Sequence, residues 1–464
     1  MTSSVQTAAR EQSSSALSTR CPVGDSAAGE GTAATSRALF SNILWMLAGN
    51  LSYGLSQWAL LVALAKIGTV AMVGTFALAL AITLPVLMFS SLSLRSIQVT
   101  DYSRSYRFLE YASLRFATVC LSLLFIFVFG LASGYSPSVL IATLLIAGAK
   151  AFEYVSDILY GLLQQEEDMA AIGISMTLRA ILSVAALSVG VYFTHSLMWG
   201  AAGLLISSGV VVLAYDLPKA LAFRKGQFRT EVGTCLQYIR ALPRDGKHQR
   251  LWKLALTGLP MGFVLMMVSL NLNIPRYFIQ QHLGMQELGI FSAIATLMAA
   301  GSVVTNAIGQ AAAPRMARYF TAGDRYRFGI LLAAIVAVSL GLGALGFGGA
   351  LLFGRQAMAL IYRPEYSTRQ DVLVWLMGAS GFFYLGSTLG YAVTSVRCFT
   401  PQLPLFTGAA LATALGCIAF VPSLGLRGAA IAILISAVVQ CAGSAVLLYG
   451  SYRKASADPI LSWS

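Results

Sequence analysis

One apolar run holds three charged side chains at helical spacing, Lys150, Glu153 and Asp157. At 100° per residue they fall within about 60° of one another on one helix face. Tyr154, Gly161 and Gln164 extend that face. The next apolar run contributes Arg179. By helix rise, Arg179 stands about 14 Å from the inner end of its run and Glu153 about 15 Å from the inner end of its own. Two bases and two acids at similar depth permit two readings. One is a neutral quartet that fastens the two helices, with Glu153 paired to Arg179. The other is a wetted stripe along a transport path, in which Lys150 and Arg179 supply positive potential while Glu153 and Asp157 hold them in place and titrate. Charges inside a bilayer are costly, so each is a functional candidate.

Four more arginines stand near the ends of apolar runs. Arg276 follows Pro275 at an outer end, and Arg95, Arg315 and Arg397 sit at inner ends. Interfacial anchoring is one explanation, because arginine snorkels to phosphate headgroups. A basic vestibule for an anionic lipid-linked substrate is the other. The planar guanidinium fork binds phosphate oxygens two at a time, which a lysine cannot do. Metal and cofactor chemistry find little support. The three histidines and six cysteines are scattered and form no CxxC pair, so no metal site and no disulfide framework is expected. GLGALG at 341–346 matches a dinucleotide fingerprint literally, but it lies inside an unbroken apolar run, where its glycines serve close helix packing.

The elements that must position these charges follow from composition. Of 464 residues, 57% are hydrophobic and 11% charged, and mean hydropathy is +0.74. Soluble domains are about 25% charged. A water-soluble enzyme and a largely disordered chain are both excluded. Twelve apolar runs of membrane-crossing length are predicted: 39–67, 71–94, 116–134, 138–163, 170–193, 199–215, 254–274, 286–311, 328–353, 372–396, 405–422 and 428–450. Strand-like alternation is missing. The fold class is therefore an all-α membrane protein with about twelve transmembrane helices in two parallel six-helix lobes.

The chain divides into a disordered cytoplasmic tail (1–38, with no signal-peptide apolar core), an N-terminal lobe (39–215), a basic cytoplasmic linker (216–253), a C-terminal lobe (254–450) and a cytoplasmic tail (451–464). Within the linker, Phe228, Val232, Cys235, Leu236 and Ile239 recur at the spacing of a short helix lying on headgroups. Net charge is +13. With both termini inside, 23 lysines and arginines fall on the cytoplasmic side and six outside. That bias orients the chain and assigns its positive charge to anionic lipid rather than nucleic acid. Gly68, Gly74 and Phe76 at the first outer turn are echoed by Gly284, Gly289 and Phe291 in the second half, and WGAAGLLIS by RGAAIAILIS. Six crossings per half make the repeats parallel, a transporter architecture with substrate held between lobes.

Several segments resemble the polysaccharide-export branch, the Wzx-type flippases, of the multidrug/oligosaccharidyl-lipid/polysaccharide exporter superfamily. They are QWALLVALAKIG with VGTFALALAITLP, LRSIQVTD, SDILYGLLQ, SLNLNIPRYF, LGIFSAIATLMAAG, PRMARYF and GLRGAA, together spanning residues 40–450. The resemblance implies transport without covalent chemistry or cofactor. A polyprenyl-diphosphate-linked oligosaccharide would pass from the inner to the outer leaflet of a bacterial inner membrane, between V-shaped lobes around a cationic cavity. Implied partners are that substrate, membrane lipids, and a polysaccharide polymerase with other assembly proteins. Arg95, Asp101, Arg276 and Arg315 lie inside matched segments; Lys150, Glu153 and Arg179 flank one. The resemblance thus implies Arg95, Lys150, Arg179, Arg276 and Arg315 as substrate-binding, with Asp101, Glu153 and Asp157 as coupling or structural charges. A drug or cation antiporter would share the fold but would need membrane acids not matched by bases. A major-facilitator transporter would carry a different basic signature where RSIQVTDYSRSYR stands. A glycosyltransferase or polymerase would need a sizeable outer loop with catalytic carboxylates, and the longest, 354–371, is short.

Overall fold

The computed structural model describes residues 25–101, 105–222, 247–396 and 401–457. Those residues are helical apart from short connecting segments, and none of them is in a strand. The helices are α1 (Asp25–Ile67), α2 (Val70–Ser91), α3 (Leu94–Thr100), α4 (Phe108–Ala132), α5 (Pro137–Gln165), α6 (Met169–Thr194) and α7 (Leu197–Val211). A π-helical turn, Val212–Asp216, joins α7 to α8 (Leu217–Ala222). The second half comprises α9 (Lys247–Thr321), α10 (Arg325–Ile361), α11 (Pro364–Ser367), α12 (Gln370–Ser395), α13 (Gln402–Leu424) and α14 (Leu426–Ala457).

Local chemistry sets several boundaries. Extended Thr69 starts α2, its hydroxyl accepting from Met72 N at 3.3 Å. Asp168 caps α6 in the same way, accepting from Ala171 N at 2.9 Å. Pro137 opens α5, where a missing N–H costs nothing. Leu92 and Ser93, at φ 48° and 49°, turn the chain from α2 into α3. The 75-residue α9 breaks at Gly284, whose φ of 86° and ψ of −178° only glycine adopts readily. It therefore supplies two crossings, matching the predicted runs 254–274 and 286–311.

Ten helical stretches are long and apolar enough to cross a membrane, α9 counting once. With Asn50, Ser52, Ser56 and Gln57 in its run, α1 is more polar than these and covers the predicted run 39–67. Each of the twelve predicted runs thus falls on a helix. Residues 25–38, read from composition as tail, continue α1 as helix, consistent with their alanine content. The predicted amphipathic helix at 228–239, residues 1–24 and Arg397 lie outside the described residues.

The two halves repeat one packing pattern. In the first, α1 packs on α6, α6 on α7, α5 on α7, α2 on α5 and α4 on α5. In the second, the first part of α9 packs on α13, α13 on α14, α12 on α14, the second part of α9 on α12, and α10 on α12. Helix by helix these are the same pairs. The predicted six-plus-six organisation is thus present in three dimensions.

The halves meet chiefly along α2 and α9. At the end of the bundle remote from Arg95, a Cβ on Gly74 would overlap the carbonyl oxygen of Met285, and one on Gly289 would overlap that of Val70. Only glycine lets the two backbones approach this closely. Nearby, Arg363 donates to the carbonyl of Lys66 at 2.6 Å, and Tyr277 to that of Ala81. At the other end the start of α9 docks on the first half. Leu254 is fully buried among Leu92, Leu94, Phe108, Ile158 and Ala220. Arg250 forms an ion pair with Glu110 (3.0 Å) and donates to the Ser105 carbonyl (2.6 Å). Large apolar side chains such as Phe116, Leu121, Phe125, Phe193, Leu345 and Phe353 face outward, as a lipid-facing surface requires.

Candidate functional site

α5 is the spine of the site. Successive turns carry Lys150, Glu153, Ser156, Asp157, Tyr160 and Gln164, and each meets a partner from another helix or from its own. Lys150 Nζ donates to both Glu153 oxygens (3.0 and 3.1 Å), to Gln57 Oε1 (3.0 Å) and to the hydroxyl of Tyr53 (3.3 Å). The Tyr53 hydroxyl itself donates to Glu153 Oε2 at 2.7 Å. One side of the stripe is therefore latched to α1.

One turn further, Asp157 stands between two guanidinium groups. Its Oδ1 accepts from Arg95 Nη1 and its Oδ2 from Arg115 Nη2, both at 3.3 Å. Gln164 Oε1 receives the other side of Arg95, at 3.0 and 3.2 Å. Arg95 also lies 5.6 Å over the Tyr160 ring and Arg115 5.7 Å over that of Tyr154.

Arg179 has a different counter-ion from the one expected. Its Nη2 is 3.0 Å from Asp216 Oδ2 and 2.5 Å from Ser156 Oγ. Ser156 and Ser175 both donate to the Asp216 carboxylate. The expected Glu153–Arg179 pair is replaced by two separate pairs, Glu153 with Lys150 and Arg179 with Asp216. Asp216 is fully buried at the end of the π turn. That turn adds a residue to the helical ladder, a device frequent at functional positions.

These groups bound a cavity of 380 Å³, lined by Tyr53, Arg95, Lys150, Glu153, Tyr154, Asp157, Tyr160 and Arg179, with Leu84 and Met88 of α2 and Leu265 of α9. The expected stripe and Arg179 do share one space. The expected electroneutrality is altered: the ion pairs comprise four cations, Arg95, Arg115, Lys150 and Arg179, against three carboxylates, Glu153, Asp157 and Asp216. One positive charge is in surplus. A low-dielectric wall makes that surplus felt more strongly than it would be in water.

The remaining candidates lie elsewhere. Asp101 caps the chain entering α4, accepting from the backbone N–H of Ser105 (2.9 Å) and Tyr106 (3.1 Å) and from the Tyr111 hydroxyl (3.2 Å). Arg276 is half-buried on α9 and donates to Asn273 Oδ1 at 2.9 Å. Arg315 is exposed near the far end of α9. Among the described residues no carboxylate forms an ion pair with either arginine. The structure thus brings together Arg95, Lys150, Glu153, Asp157 and Arg179, and leaves Asp101, Arg276 and Arg315 apart. No grouping of three or more metal-ligating side chains occurs among the described residues.

Arg115 and Asp216 were not singled out by sequence. Arg115 falls just outside the predicted run, which begins at Phe116, yet α4 starts at Phe108. The apolar positions Phe108, Leu109, Tyr111 and Ala112 were the signal of that earlier start. Asp216 follows the predicted run ending at Tyr215 and is the first residue of the predicted linker. The helix continuing through Leu217 keeps it inside.

The family model for "polysaccharide biosynthesis protein" matches residues 39–320. The chain belongs to this family. A capsular polysaccharide biosynthesis protein, CapF, of Staphylococcus aureus is 26% identical over 406 residues, 86% of this chain and 97% of that protein. The fold is also that of solved transporters. The lipid II flippase MurJ in an inward closed conformation aligns with a TM-score of 0.64, 15% identity, and coverage of 88% of this chain and 87% of MurJ. An inward-facing multidrug resistance MATE transporter of the MOP superfamily aligns at 0.61, with 15% identity and coverage of 87% and 95%. The family member described here is thus a multi-pass membrane protein with a transporter fold.

Proposed function

We propose that this protein moves a polyprenyl-diphosphate-linked oligosaccharide from the inner to the outer leaflet of a bacterial cytoplasmic membrane, by alternating access between its two lobes. The observation that carries this reading is a cavity lined by three cations, Arg95, Lys150 and Arg179, and two carboxylates, Glu153 and Asp157, with the surrounding ion pairs one positive charge in surplus. A diphosphate entering it meets a net positive site with an arginine at the rim, and Arg95 is 24% exposed while Arg115 and Arg179 are nearly closed off. The ring faces and hydroxyls of Tyr53, Tyr154 and Tyr160 in the cavity lining suit the sugar beside the phosphate. Basic residues at the Arg95 end favour placing both termini in the cytoplasm. The reading requires no covalent step.

A drug or cation antiporter fits the cavity less well. Among the described residues each cavity carboxylate already faces a guanidinium or ammonium group. Deletion tests the reading. The expected outcome is loss of one surface or secreted polysaccharide, with lipid-linked repeat units accumulating on the inner leaflet. Normal export of every glycan, in a strain without a second flippase, contradicts it.

A further inference from the structure

Asp157 is stretched between two arginines that differ in what else they hold. Both contacts, at 3.3 Å, are longer than the 2.7–2.9 Å typical of charge-assisted hydrogen bonds. Arg95 sits at the cavity rim and has Gln164 as a second partner. Arg115 is 2% exposed, and its Nε and Nη1 are buried without any hydrogen-bond partner. An unsatisfied buried guanidinium is unfavourable, so Arg115 has unused capacity for a carboxylate. Arg115 does not line the cavity, and a bulky solute cannot reach it.

We propose that Asp157 is a transferable counter-ion and Arg115 the positioning residue that receives it. This rests on the reading of the cavity as a diphosphate site. In the empty cavity Asp157 divides itself between Arg95 and Arg115. When a diphosphate takes the Nη1 edge of Arg95, Asp157 shifts to a two-pronged pair with Arg115. The shift satisfies one of the two otherwise orphaned nitrogens and removes a carboxylate from the incoming anion. Arg95 is thereby kept neutralised between cycles without being permanently blocked. Arg115 also links the site to the lobe contact: on the same helix, Glu110 holds Arg250 at the start of α9.

Binding of farnesyl diphosphate to the purified full-length protein in nanodiscs tests the exchange, with farnesol as the uncharged control. Arg115→Gln leaves Asp157 with Arg95 alone, so affinity is expected to fall about tenfold. Asp157→Asn frees Arg95 and is expected to tighten binding, although it lowers thermal stability by leaving Arg115 unpaired. The deciding species is the Arg115→Gln, Asp157→Asn double variant, in which affinity is expected to return to the native value or above. A double variant as weak as Arg115→Gln overturns the exchange, because a merely structural or directly binding Arg115 gives that result. Arg115→Lys supplies a second check if Arg115→Gln does not fold: the counter-ion keeps a charged partner but loses the two-pronged pair, so binding is expected to weaken about threefold and to recover to the native value when Asp157→Asn is added. No such recovery in the lysine variant also overturns the proposal. Native binding that is unaffected by Arg95→Gln, or no native binding, overturns the diphosphate reading itself.

Discussion

Gly74 and Gly289, equivalent positions in the two sequence repeats, lie against each other where α2 crosses the second part of α9. Each denies space for a Cβ because the partner helix's backbone occupies it. A self-complementary contact of this kind places an axis between the halves and makes the remote end of the bundle a backbone-to-backbone seal. Phe76 and Phe291, two residues beyond each glycine, are both buried beside it. Gly74→Val or Gly289→Val is therefore expected to part the helices. Melting of the purified protein should drop by several degrees and transport should fall at least tenfold, the scale set by overpacking in a close-packed core. Native melting and transport in both variants would deny the crossing any role in closure.

The Arg179–Asp216 pair is almost wholly enclosed. Arg179→Gln or Asp216→Asn alone should cost about 3–5 kcal/mol by leaving one charge unpaired, and the double variant should recover most of it. Glu153→Gln, by contrast, should not rescue Arg179→Gln, because Glu153 is paired with Lys150. A double-mutant cycle on unfolding midpoints distinguishes the two pairings, and rescue by Glu153→Gln would overturn the geometry described.

How much of this was legible beforehand depended on distance along the chain. Lys150, Glu153 and Asp157 share a helix face because they share one helix, so periodicity alone brings them together. The six-plus-six division follows from apolar runs and from echoes such as Gly74/Gly289. What periodicity lacks is which helix faces which. Depth arithmetic placed Arg179 level with Glu153, yet α6 packs beside α7 and hands Arg179 to Asp216. Hydropathy also trims a run at a charge standing near its end, although it reads through mid-run charges such as Lys150. Arg115 and Asp216 were lost for that reason, since a buried charge with a partner looks, in one dimension, like the start of a loop.

Orientation is open to a direct chemical check. In a background without the six native cysteines, Glu365→Cys, exposed beside the Gly74 end, should react with an impermeant thiol reagent in intact cells. Ala322→Cys, in the exposed turn between α9 and α10, should react only after permeabilisation. The opposite pattern would invert the topology.

The two arginines of α9 should separate. Arg276 is half-buried with an asparagine as partner, and Arg276→Ala is expected to reduce transport at least tenfold, with Arg276→Lys intermediate because it keeps charge and loses the fork. Arg315 is exposed, and Arg315→Ala is expected to cost no more than about twofold, as for an interfacial charge. Transport rates normalised to protein in the membrane decide. Equal, severe loss in both alanine variants would place Arg315 on the substrate path as well.

The central claim is translocation of a diphosphate-linked glycan through the cavity of Arg95, Lys150 and Arg179. Its most direct test is leaflet transfer in proteoliposomes containing the purified protein and a fluorescent polyprenyl-diphosphate oligosaccharide, read by quenching of the glycan label from outside. Protein-dependent transfer is predicted, falling at least tenfold in Arg95→Gln with the protein still folded. Transfer no faster than in protein-free vesicles, or transfer indifferent to Arg95, would contradict the account.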